Sequence, residues 1–104
     1  MKLLSDQMTE GELKVIQREL RATLQRGVAG DVTEFGCYVG TTSVILAEEL
    51  AGQQPLRTLY LYDSFSGLPE KTSEDISPAG EQFVAGELHA SRQELERNIR
   101  PWRG

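Results

Sequence analysis

A carboxylate, two spaced glycines and three consecutive hydroxyls, Glu34, Gly36, Gly40 and Thr41-Thr42-Ser43, make up the most chemically suggestive stretch of this 104-residue chain. Glu34 can accept hydrogen bonds from a cationic amino group, and amides that open a helix at Thr41 to Ser43 can meet a carboxylate. The two poles together fit an amino acid moiety. Gly36 and Gly40 allow tight backbone geometry, so that the helix amides point outward toward an anionic group. Asp63 adds a second acidic group, placed where a doubly wound sheet takes hydrogen bonds from vicinal ribose hydroxyls. A nucleotide-like cofactor satisfies all of these groups. The pattern is Glu-x-Gly-x-x-x-Gly and not Gly-x-Gly-x-x-Gly, which argues against NAD. Each feature also has a plainer reading: the glycines shape a turn, Glu34 is a solvated strand-end charge, and Asp63 starts an Asx turn.

The elements that must carry these residues follow from periodicity and punctuation. Thr9 with Glu12 forms a capping box, and Leu13, Ile16, Leu20 and Leu24 recur at helical spacing, which predicts a helix from Glu10 to Gln25. Gly27 stops it, and Asp31 to Phe35 reads as a strand. Thr41 to Ala51 is helical and apolar over most of its surface, with Glu48 and Glu49 as a narrow wet edge. Leu56 to Tyr62 alternates as a second strand, parallel to the first. Glu70 to Gly80 reads as a polar surface loop with the makings of a lid, and Glu87 to Arg100 as a helix ended by Pro101, with Leu88, Leu95 and Ile99 on its apolar face. Two strands are fewer than an open sheet normally holds, so the chain is expected to be a fragment or to complete its sheet with another chain.

Three motifs carry a family resemblance: Gly30-Asp31-Val32-Thr33-Glu34-Phe35-Gly36, Gly40-Thr41-Thr42-Ser43, and Asp63-Ser64-Phe65-Ser66-Gly67-Leu68-Pro69. They resemble macrocin O-methyltransferases of the TylF type, and the last is the most specific. The resemblance runs from roughly the first helix to the end of the chain. It implies a class I S-adenosylmethionine-dependent methyltransferase: α/β, Rossmann-like, and partial here. Residues 1–104 then form one S-adenosylmethionine-binding domain, with a helical segment at 1–29, a βαβ core at 30–69, and a loop and helix at 70–104. The resemblance further implies that Glu34, Gly36, Cys37 and Tyr38 surround the methionine portion, that Asp63 holds the ribose, and that Ser64 and Phe65 lie near the adenine. Such enzymes carry a magnesium-binding acidic cluster and a catalytic base further along. No Asp or Glu follows Glu96, so neither role is assigned to a residue here.

Composition narrows the partners. Sixteen acidic against eleven basic residues, the latter scattered, give a net charge of -5 and no nucleic-acid footprint. The longest apolar run, Val44 to Ala47, is far short of the roughly 18 residues a span needs, and the apolar start at Met1 is broken at Ser5 before a signal peptide could form. The single cysteine, Cys37, suits a reducing compartment, so a cytoplasmic protein is expected. Cys37 reads as a small packed thiol and His89 as an exposed helix residue. Tyr60 and Tyr62, two apart on one strand, read as half-buried sheet residues, which leaves Tyr38 as the aromatic candidate. Trp102 reads as either a cap on a small apolar patch or part of an interface. The leading function is an O-methyltransferase acting on a small-molecule hydroxyl. The alternatives are a truncated, non-catalytic domain that self-associates or binds a partner, and a nucleotide-dependent oxidoreductase.

Overall fold

The computed structural model describes residues 2–68, 86 and 88–102. Helix α1, Glu10–Gln25, leads to strand β1, Val32–Phe35; helix α2, Thr41–Ala51, then leads to strand β2, Leu59–Tyr62. Helix α3, Arg92–Ile99, and a single 3-10 turn at Arg100–Trp102 follow. β1 and β2 are parallel and in register from Val32 opposite Leu59 to Phe35 opposite Tyr62. The polar loop and lid expected at Glu70 to Gly80 lie outside the described residues.

Both α1 and α2 occupy the residues their spacing predicts. At the start of α1 the Thr9 hydroxyl accepts the Glu12 amide at 3.1 Å while the Glu12 carboxylate accepts the Thr9 amide at 3.0 Å. Leu13 is fully buried on the face turned to α2. Ile45, Leu46 and Leu50 of α2 join Val39, Cys37 and Leu95 in the core. The wet edge predicted for α2 holds at Glu48 and fails at Glu49, whose side chain is only 12% exposed and pairs with Arg21 of α1. A charged pair at that position ties the two helices together.

Four boundaries differ from expectation. β2 begins at Leu59, not Leu56: ahead of it Arg57 Nη1 donates to the Gly30 carbonyl at 2.6 Å, and the Thr58 amide turns to Asp31 Oδ1 at 2.9 Å, while the Thr58 carbonyl still accepts the Val32 amide at 3.1 Å. The same carboxylate bond leaves Asp31 just ahead of β1. The last helix begins at Arg92, not Glu87, because Ser91 is its N-cap, accepting the Glu94 amide at 3.1 Å. Leu88 has φ of 57°, which no right-handed helix continues, so Leu88 and His89 stand before the helix and His89 is exposed. Ile99 closes α3, and Pro101 sits within the 3-10 turn that follows.

One face of the sheet, Val32, Glu34, Leu59 and Leu61, is partly covered, while Thr33, Phe35, Tyr60 and Tyr62 on the other are exposed. Tyr60 and Tyr62, expected to be half-buried, are 45% and 51% exposed on that open face. Phe35 is 78% exposed and stacks on Tyr62 with ring centroids 5.2 Å apart.

Candidate functional site

Beyond the carboxyl end of β1 the chain turns tightly through Cys37 to Gly40, where the Gly40 amide donates to the Cys37 carbonyl at 2.9 Å. Tyr38 in this turn has φ of 51° and Gly40 has φ of 95°, both in the left-handed region. Such a conformation costs a non-glycine residue about 1–2 kcal/mol, so Tyr38 must be held there. Asp63 holds it: Oδ2 accepts the Tyr38 amide at 2.9 Å, and Oδ1 accepts the amide of Phe65, also left-handed at φ of 58°, at 2.9 Å. One carboxylate thus clamps a strained residue on each side of the crevice between the strand ends. Each oxygen retains a second lone pair, enough for two ligand hydroxyls. Desolvation raises the Asp63 pKa, but the surrounding amides, those of Phe65 and Tyr38 foremost, outweigh it and hold the carboxyl below its ordinary value.

Glu34 lies on the helix-facing side of β1 and accepts the hydroxyl of fully buried Ser43 at 2.6 Å. Burial pushes its pKa up, countered by the hydrogen bonds from Ser43 and Cys37, and the neighbouring Asp63 charge adds to the rise. The Cys37 thiol lies 3.5 Å from the Tyr62 carbonyl oxygen, and desolvation with the Glu34 charge raises it to about 11. It is a neutral packed thiol and not a nucleophile. At the start of α2, Gly40 is the N-cap and offers no side-chain bond to the first helical amides. Thr41 beside it has a buried hydroxyl oxygen with no partner among the described residues.

Two cavities meet at Gly36 and Tyr38. The larger, an open cleft of about 670 Å³, is lined by Phe35, Tyr62, Asp63, Ser64, Phe65, Leu88 and Arg92, among others. The smaller, of about 210 Å³, lies between the start of α2 and the segment ahead of α1, and its lining includes Glu34, Cys37, Thr41, Thr42, Ser5, Gln7 and Met8. Of the residues singled out by sequence, Gly36, Tyr38, Asp63, Ser64 and Phe65 line the larger cavity, and Glu34, Gly36, Cys37, Tyr38, Thr41 and Thr42 the smaller. Gly40 and Ser43 line neither; they shape the turn and anchor Glu34. Phe35, Tyr62, Leu88, Arg92 and the segment ahead of α1 were missed. Only the strand register, which sets Phe35 beside Tyr62 at the crevice, offered a signal for that pair. Among the described residues no three His, Cys, Asp or Glu side chains are grouped to hold a metal ion.

An open cleft at the carboxyl ends of two adjacent parallel strands, with a glycine turn leading into the intervening helix, is where α/β sheets of this kind take their ligands. The family model for macrocin-O-methyltransferase (TylF) matches residues 6–103, and the chain belongs to that family. The structure of the O-methyltransferase NovP superposes with a TM-score of 0.64 and 24% identity, over 86% of this chain and 39% of that one. At that identity the likeness shows a shared fold, and this chain spans about two-fifths of NovP's length. No curated protein matches the sequence.

Proposed function

We propose that this chain is the S-adenosylmethionine-binding portion of an O-methyltransferase that methylates a hydroxyl of a small molecule. The observation that carries this reading is the Asp63 clamp, which joins the turn after β1 to the end of β2 and so leaves a carboxylate suited to ribose hydroxyls beside a helix start. Family membership supports the same reaction class. The residues fit the cofactor: Asp63 meets the ribose, and Phe65 with Ser64 borders the adenine. The uncapped amides of α2, with the Thr41 and Thr42 hydroxyls, suit the amino acid carboxylate, and Glu34 faces its ammonium end. Partnerless Thr41 Oγ1 is the buried atom such a ligand would satisfy.

The bound sulfonium supplies an electrophilic methyl group. This chain's residues contribute binding and orientation, the larger part of catalysis by proximity. The acceptor hydroxyl, the catalytic base and any divalent metal call for residues that we assign to no position here. A reducing cytoplasmic setting suits the unpaired, buried Cys37. Among the described residues no helix is long and apolar enough to cross a membrane.

Thermal unfolding with added ligand tests the reading. S-adenosylhomocysteine at about 100 times its Kd is expected to stabilise by roughly 2.7 kcal/mol, whereas NAD, whose usual Gly-x-Gly-x-x-Gly turn this chain does not have, is expected to leave the transition unmoved. A shift with NAD and none with S-adenosylhomocysteine transfers the chain to the oxidoreductase class. A second reading, self-association, is favoured by the uncovered sheet face of Phe35, Tyr60 and Tyr62.

A further inference from the structure

The geometry points to Asn98, near the end of α3, as a positioning residue for the glycine turn, a role that rests on the cofactor reading above. Leu95, Asn98 and Ile99 share one helix face by their spacing. The two apolar members meet Gly40: a Cβ built there would stand 2.6 Å from Leu95 Cδ1 and 3.9 Å from Ile99 Cγ2. Between them Asn98 Nδ2 donates to the Val39 carbonyl at 2.7 Å, from 59 residues further along the chain. A carbonyl needs a donor, so the side-chain amide is oriented by its partner.

The peptide unit receiving this bond also carries the Gly40 amide, which donates to the Cys37 carbonyl at 2.9 Å. The Val39-Gly40 peptide is therefore held at both ends, its oxygen by Asn98 and its N–H by the turn. Its plane sets the direction in which α2 leaves Gly40, and with it the aim of the helix-opening amides and of Thr41. Asp63 holds the Cys37-Tyr38 peptide of the same turn, through the Tyr38 amide. Asn98 and Asp63 thus fix two peptides of one loop, and of the two only Asp63 lines the larger cleft.

Asn98→Ala and Asn98→Asp in the full chain test this. Alanine removes the donor while favouring the helix, and aspartate keeps the shape while setting a carboxylate against a carbonyl. Both are expected to move the backbone amide resonances of Tyr38 and Gly40 without ligand, and to weaken S-adenosylhomocysteine on the order of tenfold by calorimetry below the melting transition, about the worth of one buried hydrogen bond. Unmoved resonances with affinity within about twofold of the parent overturn the proposal, since a merely structural role lowers the melting temperature alone. If the parent chain binds no S-adenosylhomocysteine, the cofactor reading fails, and the Gly40 resonance alone still decides whether Asn98 positions the turn. Should both variants unfold, the parent's own Asn98 side-chain protons decide: one protected from exchange supports the bond, and free exchange of both overturns it.

Discussion

Asp63 and Glu34, one acid on each side of the glycine turn, are perturbed in opposite directions. Asp63 is held below its ordinary 3.8 by amides, so its contribution to stability is complete above that value and is lost as pH falls through the lower folded-state pKa. Glu34 is pushed above its ordinary 4.5 by burial, so its contribution is complete below 4.5 and is lost as pH rises through the higher folded-state pKa. Glu34→Gln keeps an acceptor for Ser43 and removes the buried charge. It is expected to be more stable than the parent toward neutral pH, with the advantage vanishing below pH 4.5, as read by denaturant titrations across that window. Asp63→Ala is expected to weaken S-adenosylhomocysteine by about 1–3 kcal/mol in calorimetry. Because Asp63 also restrains Tyr38 and Phe65, the same variant should lose stability at neutral pH and approach the parent in acid below 3.8. An Asp63→Ala protein with unchanged titration would remove the ribose assignment.

At the scale of elements, the glycine turn is held between α2, which it opens, and α3, which packs against Gly40. Gly40 is the contact point, with φ of 95° and no room for a Cβ beside Leu95. Gly40→Ala must adopt a strained conformation and push aside a buried leucine, at a cost of about 2 kcal/mol, to be seen as a lower midpoint in urea unfolding. Gly36 has φ of 82° but open space around it. Gly36→Ala is accordingly expected to lose about 1 kcal/mol from backbone strain alone, and a larger loss than at Gly40 would contradict the packing described for α3. α1 joins the same assembly through buried Leu13 and the Arg21 pair with Glu49.

For the whole molecule, the uncovered sheet face sets behaviour in solution. Among the described residues, Phe35, Tyr60 and Tyr62 expose aromatic surface on one side of a two-stranded sheet whose other side meets α2 through Glu34 and Ser43. Such a patch favours association, so sedimentation velocity is expected to show mass rising with concentration. Tyr60→Ser, which lies outside both cavities at the crevice, should reduce that association and leave S-adenosylhomocysteine affinity unchanged. Association unaffected by that substitution would move the interface elsewhere.

Local signals settled α1, α2 and the glycine turn before any coordinates: a capping box, an apolar stripe and two glycines act over a few residues, and short-range hydrogen bonds enforce them. The Asp63-Ser64-Phe65 motif likewise drew attention to the residues closing β2. Other features depended on contacts between distant segments. Glu49 turned inward because Arg21 of another helix was there to pair with it, and β2 shortened because Gly30 and Asp31 captured Arg57 and Thr58. Asn98 gained its role only when α3 packed against Gly40, across a separation that periodicity cannot span. Sequence alone singled out the groups with the chemistry to meet a cofactor; the tertiary structure decided which of them hold the turn and which line the cleft, because the hydrogen bonds that orient each group come from residues distant in the chain.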